Sequence, residues 1–537
     1  MTGKKVLTAV DLVGIQRFIF SSNRLRDVTG ASHLVNLATP RQVDQAEKGR
    51  QAIATKGALA ACGAVHAVIV SGGGNAVLEF TGENALEEAK TFAARYSRWL
   101  IEEAPGLDAV IEHEPYEEGF AEALSNLLEK TARAKHQREP SIPLLGLSVT
   151  AACRETGLPA NEPSADGDPI AASVDRIRKA ASKAQDYWRD LLLPDRTIGE
   201  NRFPVFPMEL DDMGRTEGQT SLIGVVHIDG NGVGRKIVQW LQQAGDANDD
   251  EVKEQYKQWS RAIDALGTKL LKTVVERVVA RVQSKPKRVE LQGWPEWLSF
   301  RLQSDRDDVF LPLRPVILGG DDLTFLCDGR IALDLAVAAL EAFRADNRIA
   351  HLGDIGACAG VAIVHAHAPI LRAWSLAEEL CRSAKRKVHD SGRTGFALDW
   401  HIGLPAPGQS IRSVRESQYQ AGDRRLTCRP LLLGDLRPPE TESWKWMEEE
   451  MLADGGDTSK SLRGKAWRDH KNKVKQLAPL LRIGPAEIED TLDAWRVVDD
   501  RLGLPHDIED GFIGNAKTPL LDALELVDIH LSLESAP

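Results

Sequence analysis

"VILGGDDLTF", residues 316–325, sets two adjacent acids between two apolar, strand-like runs. Glycine adopts positive φ at no steric cost and lets a ligand approach the backbone, so Gly319 and Gly320 read as the turn. The stretch predicts a β-hairpin with Asp321 and Asp322 at its tip. Neighbouring carboxylates disfavour each other's ionisation, and apolar flanks deny them water. The tip therefore calls for a positive partner.

Reading outward, "SLIGVVHIDG" (221–230) is a strand that ends at Asp229. A long helical region follows over 233–282, then a strand over 309–318, the turn, and a strand over 323–328. A helix (331–347), a strand (356–367), a helix (369–388) and a closing strand (395–403) complete the unit. This contains the order βαββαβ. In such a sheet the first strand lies beside the third, which brings Asp229 to the edge that carries Asp321 and Asp322.

The N-terminal part repeats that order. "VLTAVDL" (6–12) is a strand with Asp11 near its end, and 14–38 has helical spacing. Strands over 64–71 and 76–80 flank a turn, Gly72-Gly73-Gly74-Asn75. A helix (83–104) and a strand (107–115) follow. The chain thus reads as an internal duplication in which the first copy keeps the glycines and lacks the two acids. The expected fold is α+β, two ferredoxin-like units plus a C-terminal helical domain. The expected boundaries are 1–140, a connecting segment over 141–218, 219–404 and 405–537. Residues 155–169, rich in Pro, Gly and acids, read as a linker.

The 537 residues are 42% hydrophobic and 27% charged, with a formal net charge of −12. That is a soluble, globular composition of several domains. The acid excess excludes a protein that coats duplex DNA and suits a site that collects divalent cations. Six cysteines are scattered without a CxxC pair. This points to a reducing cytoplasm rather than to a disulfide framework or structural zinc. No signal peptide or membrane span is expected.

Three carboxylates at one edge invite a hard cation. Mg²⁺ typically takes one or two carboxylates plus substrate phosphates. Two such ions about 4 Å apart stabilise both the attacking and the leaving oxygen of a phosphoryl displacement. "DGNGVGR" (229–235) follows a strand and opens a helix, so the backbone N–H groups of Gly230, Asn231, Gly232, Val233 and Gly234 can cradle a triphosphate. Gly319 and Gly320 let a nucleotide approach. Lys385 and Lys387 either contact phosphates or sit as solvated residues at a helix end. A basic stretch over 460–476, with Trp467, could meet an RNA backbone or an acidic partner, or be a solvated helix face.

The stretches "GIQRFIF", "RDVTGASHLV", "SGGGNAVLEF", "HIDGNGVG", "LGGDDLTF", "AGVAIVHAHAPILRAWSLAEELCRSAKRK" and "LTCRP" resemble the large polymerase-cyclase subunit of type III CRISPR effector complexes. "GLSVTAACRETGLPA" (146–160) shares in this likeness. The resemblance implies two palm domains related to GGDEF cyclases and polymerases, the second of them catalytic. By the same resemblance, Asp229, Ile228, Asp321 and Asp322 form the metal set for two Mg²⁺ or Mn²⁺ ions. The first palm would hold an acceptor nucleotide in a pocket lined by Gly14, Gln16, Ser32, Gly73, Gly74 and Asn75. For Ser32, packing or helix capping is an equal alternative. The implied reaction joins ATP into cyclic oligoadenylates: a 3′-hydroxyl attacks an α-phosphate and pyrophosphate leaves. The implied partners are nucleoside triphosphates, RNA and other effector subunits, in antiviral defence; from the net charge no duplex DNA binding is expected, and no membrane partner is expected.

Three departures qualify the resemblance. The first palm strand begins almost at Met1, so the N-terminal HD nuclease common in that family is not expected. The pair His389-Asp390 lies inside the second unit, and no DNase activity is expected. The inter-palm segment carries only Cys153 where many members have a four-cysteine zinc module. Asp229-Gly230-Asn231-Gly232 stands where the family commonly reads DGDN, which bears on base preference and metal number. The competing readings are a cyclic dinucleotide synthase, a polymerase of other nucleotides, and a catalytically idle RNA-binding scaffold.

Overall fold

The computed structural model describes residues 5–534 apart from 42–56, 64, 140–145, 148, 165–166, 200, 215–220, 245–247, 286–287, 350–352, 391–394, 435–439 and 454–458. Parts of the expected connecting segment, the linker and the strand over 64–71 lie outside the described residues. Two sheets carry the architecture. The first consists of β1 (Lys5–Val13), β2 (Ala67–Gly72), β3 (Asn75–Thr81) and β4 (Asp108–Tyr116), in the order β2-β3-β1-β4. β1 runs antiparallel to both neighbours.

The second sheet consists of β5 (Leu222–Gly230), β6 (Leu313–Gly319), β7 (Asp322–Asp328), β8 (Ala357–His365), β9 (Phe396–Ile402) and β10 (Leu431–Leu433). Its order, β6-β7-β5-β8-β9-β10, repeats that of the first sheet over four strands and then extends it. β9 adds parallel to β8, and β10, from the C-terminal part of the chain, closes the edge antiparallel to β9. The fold is α+β, and a largely helical region follows the second sheet.

Strand alternation decides which residues meet which helix. On β1, Val6 and Val10 face a core that includes Phe92, Tyr96 and Leu100 of the helix Ala85–Glu103. Leu7 and Ala9 face Phe120, Leu124 and Leu127 of the helix Phe120–Gln137. Asp11 shares their parity. On β5, Val226 and Ile228 face Leu270 and Val274 of the helix Asp249–Val279. Ile223 and Val225 face Leu376, Ala377 and Leu380 of the helix Ile370–Asp390, and Asp229 shares their parity. In both units, then, the acid of the first strand points toward the helix that follows the fourth strand.

Several elements differ from the sequence expectation. The helix expected over 14–38 is two, Ile15–Ile19 and Leu25–Ala38. The 233–282 region also divides, into Val233–Gln243 and Asp249–Val279. Between the latter helix and β6 lies a separate three-stranded sheet, Val282–Lys285, Arg288–Leu291 and Phe300–Leu302. The strand expected over 309–318 is interrupted. Asp308–Phe310 pairs parallel with Phe203–Val205, and only Leu313–Gly319 joins the second sheet. Pro312 in "FLPLRP" cannot donate to a ladder, which accounts for the break. The helix Ala172–Leu192 packs on Leu25–Ala38, where Gly30 approaches so closely that a Cβ would sit 2.0 Å from the Ile177 carbonyl oxygen.

Candidate functional site

The two glycine turns meet back to back. A Cβ on Gly73 would lie 3.2 Å from the Gly319 Cα, and one on Gly319 would lie 3.3 Å from the Gly73 Cα. Gly320 adopts φ +74, whereas Gly319 needs only to be bare. Gly267, on the helix Asp249–Val279, presses against the same turn; a Cβ there would fall 2.0 Å from the Gly320 carbonyl oxygen. The tip that carries the acids is thus clamped between the first unit and a helix of its own unit.

Asp321 lies in the turn and Asp322 opens β7, and their carboxylates line different cavities. Asp321 lines a cleft of ≈ 1050 Å³ together with Asp229, Gly230, Gly232, Val233, Gly234, Gly319 and Gly320. Asp322 lines a second, solvent-open cavity, ≈ 750 Å³ with its open mouth included, together with Gln16, Ser32, Gly73, Gly74 and Gly319. The hairpin stands as the wall between them, one carboxylate to each side.

Asp321 packs directly on the loop after β5. A Cβ at Gly230 would lie 2.5 Å from the Asp321 Oδ2, so any side chain at 230 would displace the acid. Lys385, near the end of the helix Ile370–Asp390, donates to the Asp229 Oδ2 at 2.5 Å and to the Gly230 carbonyl at 2.8 Å. Burial alone would lower its pKa, but the Asp229 charge and hydrogen bond outweigh it and hold the ammonium above its ordinary value. Burial, with the Asp229 charge adding to it, pushes Asp321 and Asp322 up to about 7. The Asp322 side chain keeps 34% exposure toward its cavity.

His227, two residues before Asp229, drew no attention in the sequence. Its Nδ1 lies 3.1 Å from the Thr324 hydroxyl and 3.4 Å from the Asp322 Oδ1. Burial lowers its pKa against the pull of Asp229, so the ring stays neutral beside the acids. Strand parity is the signal that would have found it, because 227 and 229 share a face. Arg235 was passed over too; its guanidinium folds back to within 3.2 Å of where a Gly232 Cβ would stand, above the glycine loop.

Other expected residues take different places. Lys387 pairs with Glu442, which also binds Lys517, and so ties the helix to the C-terminal region rather than reaching the cleft. One residue's turn along a helix, about 100°, separates adjacent pairs of neighbours; two residues from Lys385 puts Lys387 on the opposite side. The Asn231 side chain turns away from the cleft and donates to the Gly395 carbonyl at 3.2 Å, while its N–H bonds the Gly356 carbonyl at 2.7 Å. Ser32 spends its hydroxyl on the Val316 carbonyl across the two units, which favours the packing alternative. Asn75 lines the cleft with Asp229, not the cavity with Gln16. Gly14 starts the helix Ile15–Ile19 in the left-handed region. The Ile228 side chain is core, with its backbone in the ladder opposite Leu323 and Ala359.

Among the described residues no three His, Cys, Asp or Glu side chains converge tightly enough to form a metal cage by themselves. The donors nonetheless fit a hard cation of the kind that completes its shell with phosphate. The Asp322 Oδ1 is buried without a hydrogen-bond partner, and among the described residues Lys385 is the cation whose charge opposes the raised pKa values of Asp321 and Asp322. All six cysteines are buried, free thiols. Among the described residues no helix is long and apolar enough to cross a membrane.

Two ferredoxin-like sheets joined at their glycine turns, one turn bearing acids, define a palm architecture. Residues 222–393 match the family model for the Cas10/Cmr2 second palm domain. The fold of the whole chain is similar to that of Csm1 in T. onnurineus, with 16% identity, a TM-score of 0.53, and 98% of this chain and 70% of that chain covered. A Csm1–Csm4 cassette in complex with one ATP aligns with 15% identity, a TM-score of 0.53 and the same coverage. An apo Csm1–Csm4 cassette aligns over 73% of this chain and 54% of its own, with 16% identity and a TM-score of 0.42. No curated protein sequence matches the chain. The chain therefore resembles the polymerase-cyclase subunit of type III CRISPR complexes in fold and in the sequence of its second palm.

Proposed function

We propose that the chain is a nucleotidyltransferase that joins ATP through 3′-5′ bonds into cyclic oligoadenylates and releases pyrophosphate. The observation that carries this reading is the hairpin wall, with Asp321 on one cavity and Asp322 on the other. Two nucleotides, one in each cavity, would meet across a single pair of carboxylates. Csm1–Csm4 cassettes of like fold have been crystallised with ATP, AMPPNP and pppApApA, which supports nucleotides as the occupants.

The donor triphosphate lies in the larger cleft. Its phosphates meet the backbone N–H groups at the start of the helix Val233–Gln243, where the helix dipole favours negative charge. Arg235 reaches the same anion from above the loop. Asp229 and Asp321 in the cleft would hold a hard divalent cation, with Asp322 available to a second from the acceptor side; when bound, such ions neutralise charge on the reacting phosphoryl group. Lys385 fixes the Asp229 carboxylate and the Gly230 carbonyl, and so the height of the loop. The acceptor sits beyond the hairpin, where Gln16, Gly73 and Gly74 line the cavity and present its 3′-hydroxyl toward the wall. Neutral His227 packs behind Asp322, its Nδ1 engaged with the Thr324 hydroxyl. The 3′-oxygen bonds to the donor α-phosphorus as the bond to pyrophosphate breaks, and the hydroxyl proton is lost to solvent or to a carboxylate.

The test is an incubation with ATP and Mg²⁺, with the chain alone and with effector subunits and an activating RNA. Pyrophosphate and a cyclic, phosphatase-resistant product are expected. Failure to form any oligomer from any nucleoside triphosphate in the complete assembly would sink the reading.

A further inference from the structure

A groove far from the palm turns opens between the inserted three-stranded sheet and the C-terminal helices. It has a volume of ≈ 840 Å³. One lip is Trp297, in the short turn Glu296–Leu298 that precedes the strand Phe300–Leu302. Trp297 is 54% exposed, an unusual state for the largest apolar side chain. The other lip is the helix Lys471–Ile483. Lys471 holds its Nζ 4.8 Å from the centroid of the Trp297 ring. Lys475 lies one turn along, about 6 Å further on the same face. Among the described residues no carboxylate pairs with either lysine.

Charge sets this region apart from the chain. Residues 460–476 contain seven lysines and arginines and one aspartate, in a protein of net charge −12. Part of that charge is structural. Arg463 is spent on the Leu526, Val527 and His530 carbonyls, closing the end of the helix Leu520–Leu526. Trp467, which the sequence set in a stretch open to RNA, an acidic partner or solvent, is buried and donates to the Gly503 carbonyl at 2.9 Å. Lys471 and Lys475 are what remains for a ligand. The groove also contains one acid, Asp528.

We propose that this groove binds single-stranded RNA. A planar base stacks on Trp297, as sequence-tolerant single-strand binders use aromatic platforms. Successive phosphates fall to Lys471 and Lys475. Asp528 repels phosphate but accepts a hydrogen bond from a ribose 2′-hydroxyl, the group that distinguishes RNA from DNA. An acidic peptide would use the lysines yet gain nothing from the exposed ring or from Asp528.

The test is fluorescence anisotropy of a labelled single-stranded RNA 12-mer titrated with the full chain at several salt concentrations. Trp297→Ala is expected to weaken binding about five- to hundredfold and leave the salt slope unchanged. Lys471→Glu with Lys475→Glu is expected to weaken it more and to reduce the slope by about 1.4, at roughly 0.7 per single-strand phosphate contact. The DNA strand of the same sequence is expected to bind more weakly, and Asp528→Ala to narrow that difference. Binding of an ATP analogue by each variant reports that the palms remain folded, and Trp297 is exposed enough to be removed without disturbing the core. The proposal is overturned if the wild-type chain fails to bind RNA, or if both lip variants bind as it does. Displacement of the RNA by poly-glutamate at equal charge would overturn it in favour of an acidic protein partner. Loss of cyclase product in the Asp321 and Asp322 variants leaves this groove untouched, so the two readings fail separately.

Discussion

Asp11 and Asp229 each lie near the end of the first strand of their sheet, and each meets a lysine of the helix after the fourth strand at 2.5 Å. The pairs are Asp11–Lys135 and Asp229–Lys385. The duplication has kept this buttress in both units. It has kept the glycine turn as well, but only the second turn carries Asp321 and Asp322. The first turn also differs in backbone: Gly72, Gly73 and Gly74 all take positive φ, against Gly320 alone in the second. The Asp–Lys pair is therefore a feature of the fold that both copies share, and the turn acids are what, on the proposed function, separates a reacting palm from an accepting one. On the proposed function, Lys385 bears on catalysis because its partner Asp229 shares a cleft with Asp321.

The comparison can be broken most severely at the turn. Asp321→Ala with Asp322→Ala is expected to lower product formation about a thousandfold or more, since preorganised charge is usually the largest catalytic term, while binding of an ATP analogue persists. The next largest contrast sets lysine against lysine. Lys385→Ala is expected to cost about a hundredfold in turnover. Lys135→Ala should stay within about twofold, with at most about 1 kcal/mol of stability lost, as for a partly exposed ion pair. A Lys135 variant as inactive as the Lys385 variant would remove the distinction between the palms.

Smaller effects sharpen it. Arg235→Ala should weaken binding of the ATP analogue about tenfold, the scale of one charge-assisted hydrogen bond. Restoring acids to the first turn should fail at one position and succeed at the other. At Gly74 a Cβ would fall 2.2 Å from the Ile15 Cδ1 on a backbone at φ +92, so Gly74→Asp should destabilise by about 1–3 kcal/mol in a melt. Asn75 is exposed, and Asn75→Asp should be tolerated.

The pH dependence has a definite sign. Asp321 and Asp322 have folded pKa values near 7 against 3.8 in the open chain. Between those values the folded state binds more protons than the unfolded one, so stability falls as pH rises. Their contribution is full below about pH 4 and is lost as pH rises through about 7. Asp321→Asn with Asp322→Asn should flatten the metal-free melting temperature over that window, and Mg²⁺ with ATP analogue should restore stability to the wild type at pH 8.

The duplication and the hairpin were legible in the sequence because period-2 patterns and glycine turns are local. So was Asp229 as third acid, since strand order in a βαββαβ sheet follows from topology. Non-local packing was not legible. Lys387 reads like Lys385 along the chain, yet Glu442, 55 residues away, takes it. Asn231 reads as part of a phosphate loop, yet its amide finds the Gly395 carbonyl. The split of adjacent acids between two cavities depends on where Gly73 meets Gly319, a contact between units that no periodicity encodes. Trp467 reads as exposed among lysines, and the aromatic that reaches the surface is Trp297, from an insertion about 170 residues earlier.

The most direct test of an unequal pair of palms is product analysis of the complete assembly with α-labelled ATP and Mg²⁺. Wild type and Lys135→Ala are compared with Lys385→Ala and with the Asp321, Asp322 double variant. The account predicts cyclic oligoadenylate and pyrophosphate from the first two, a trace from the third and none from the fourth. Undiminished product from the double variant would contradict it.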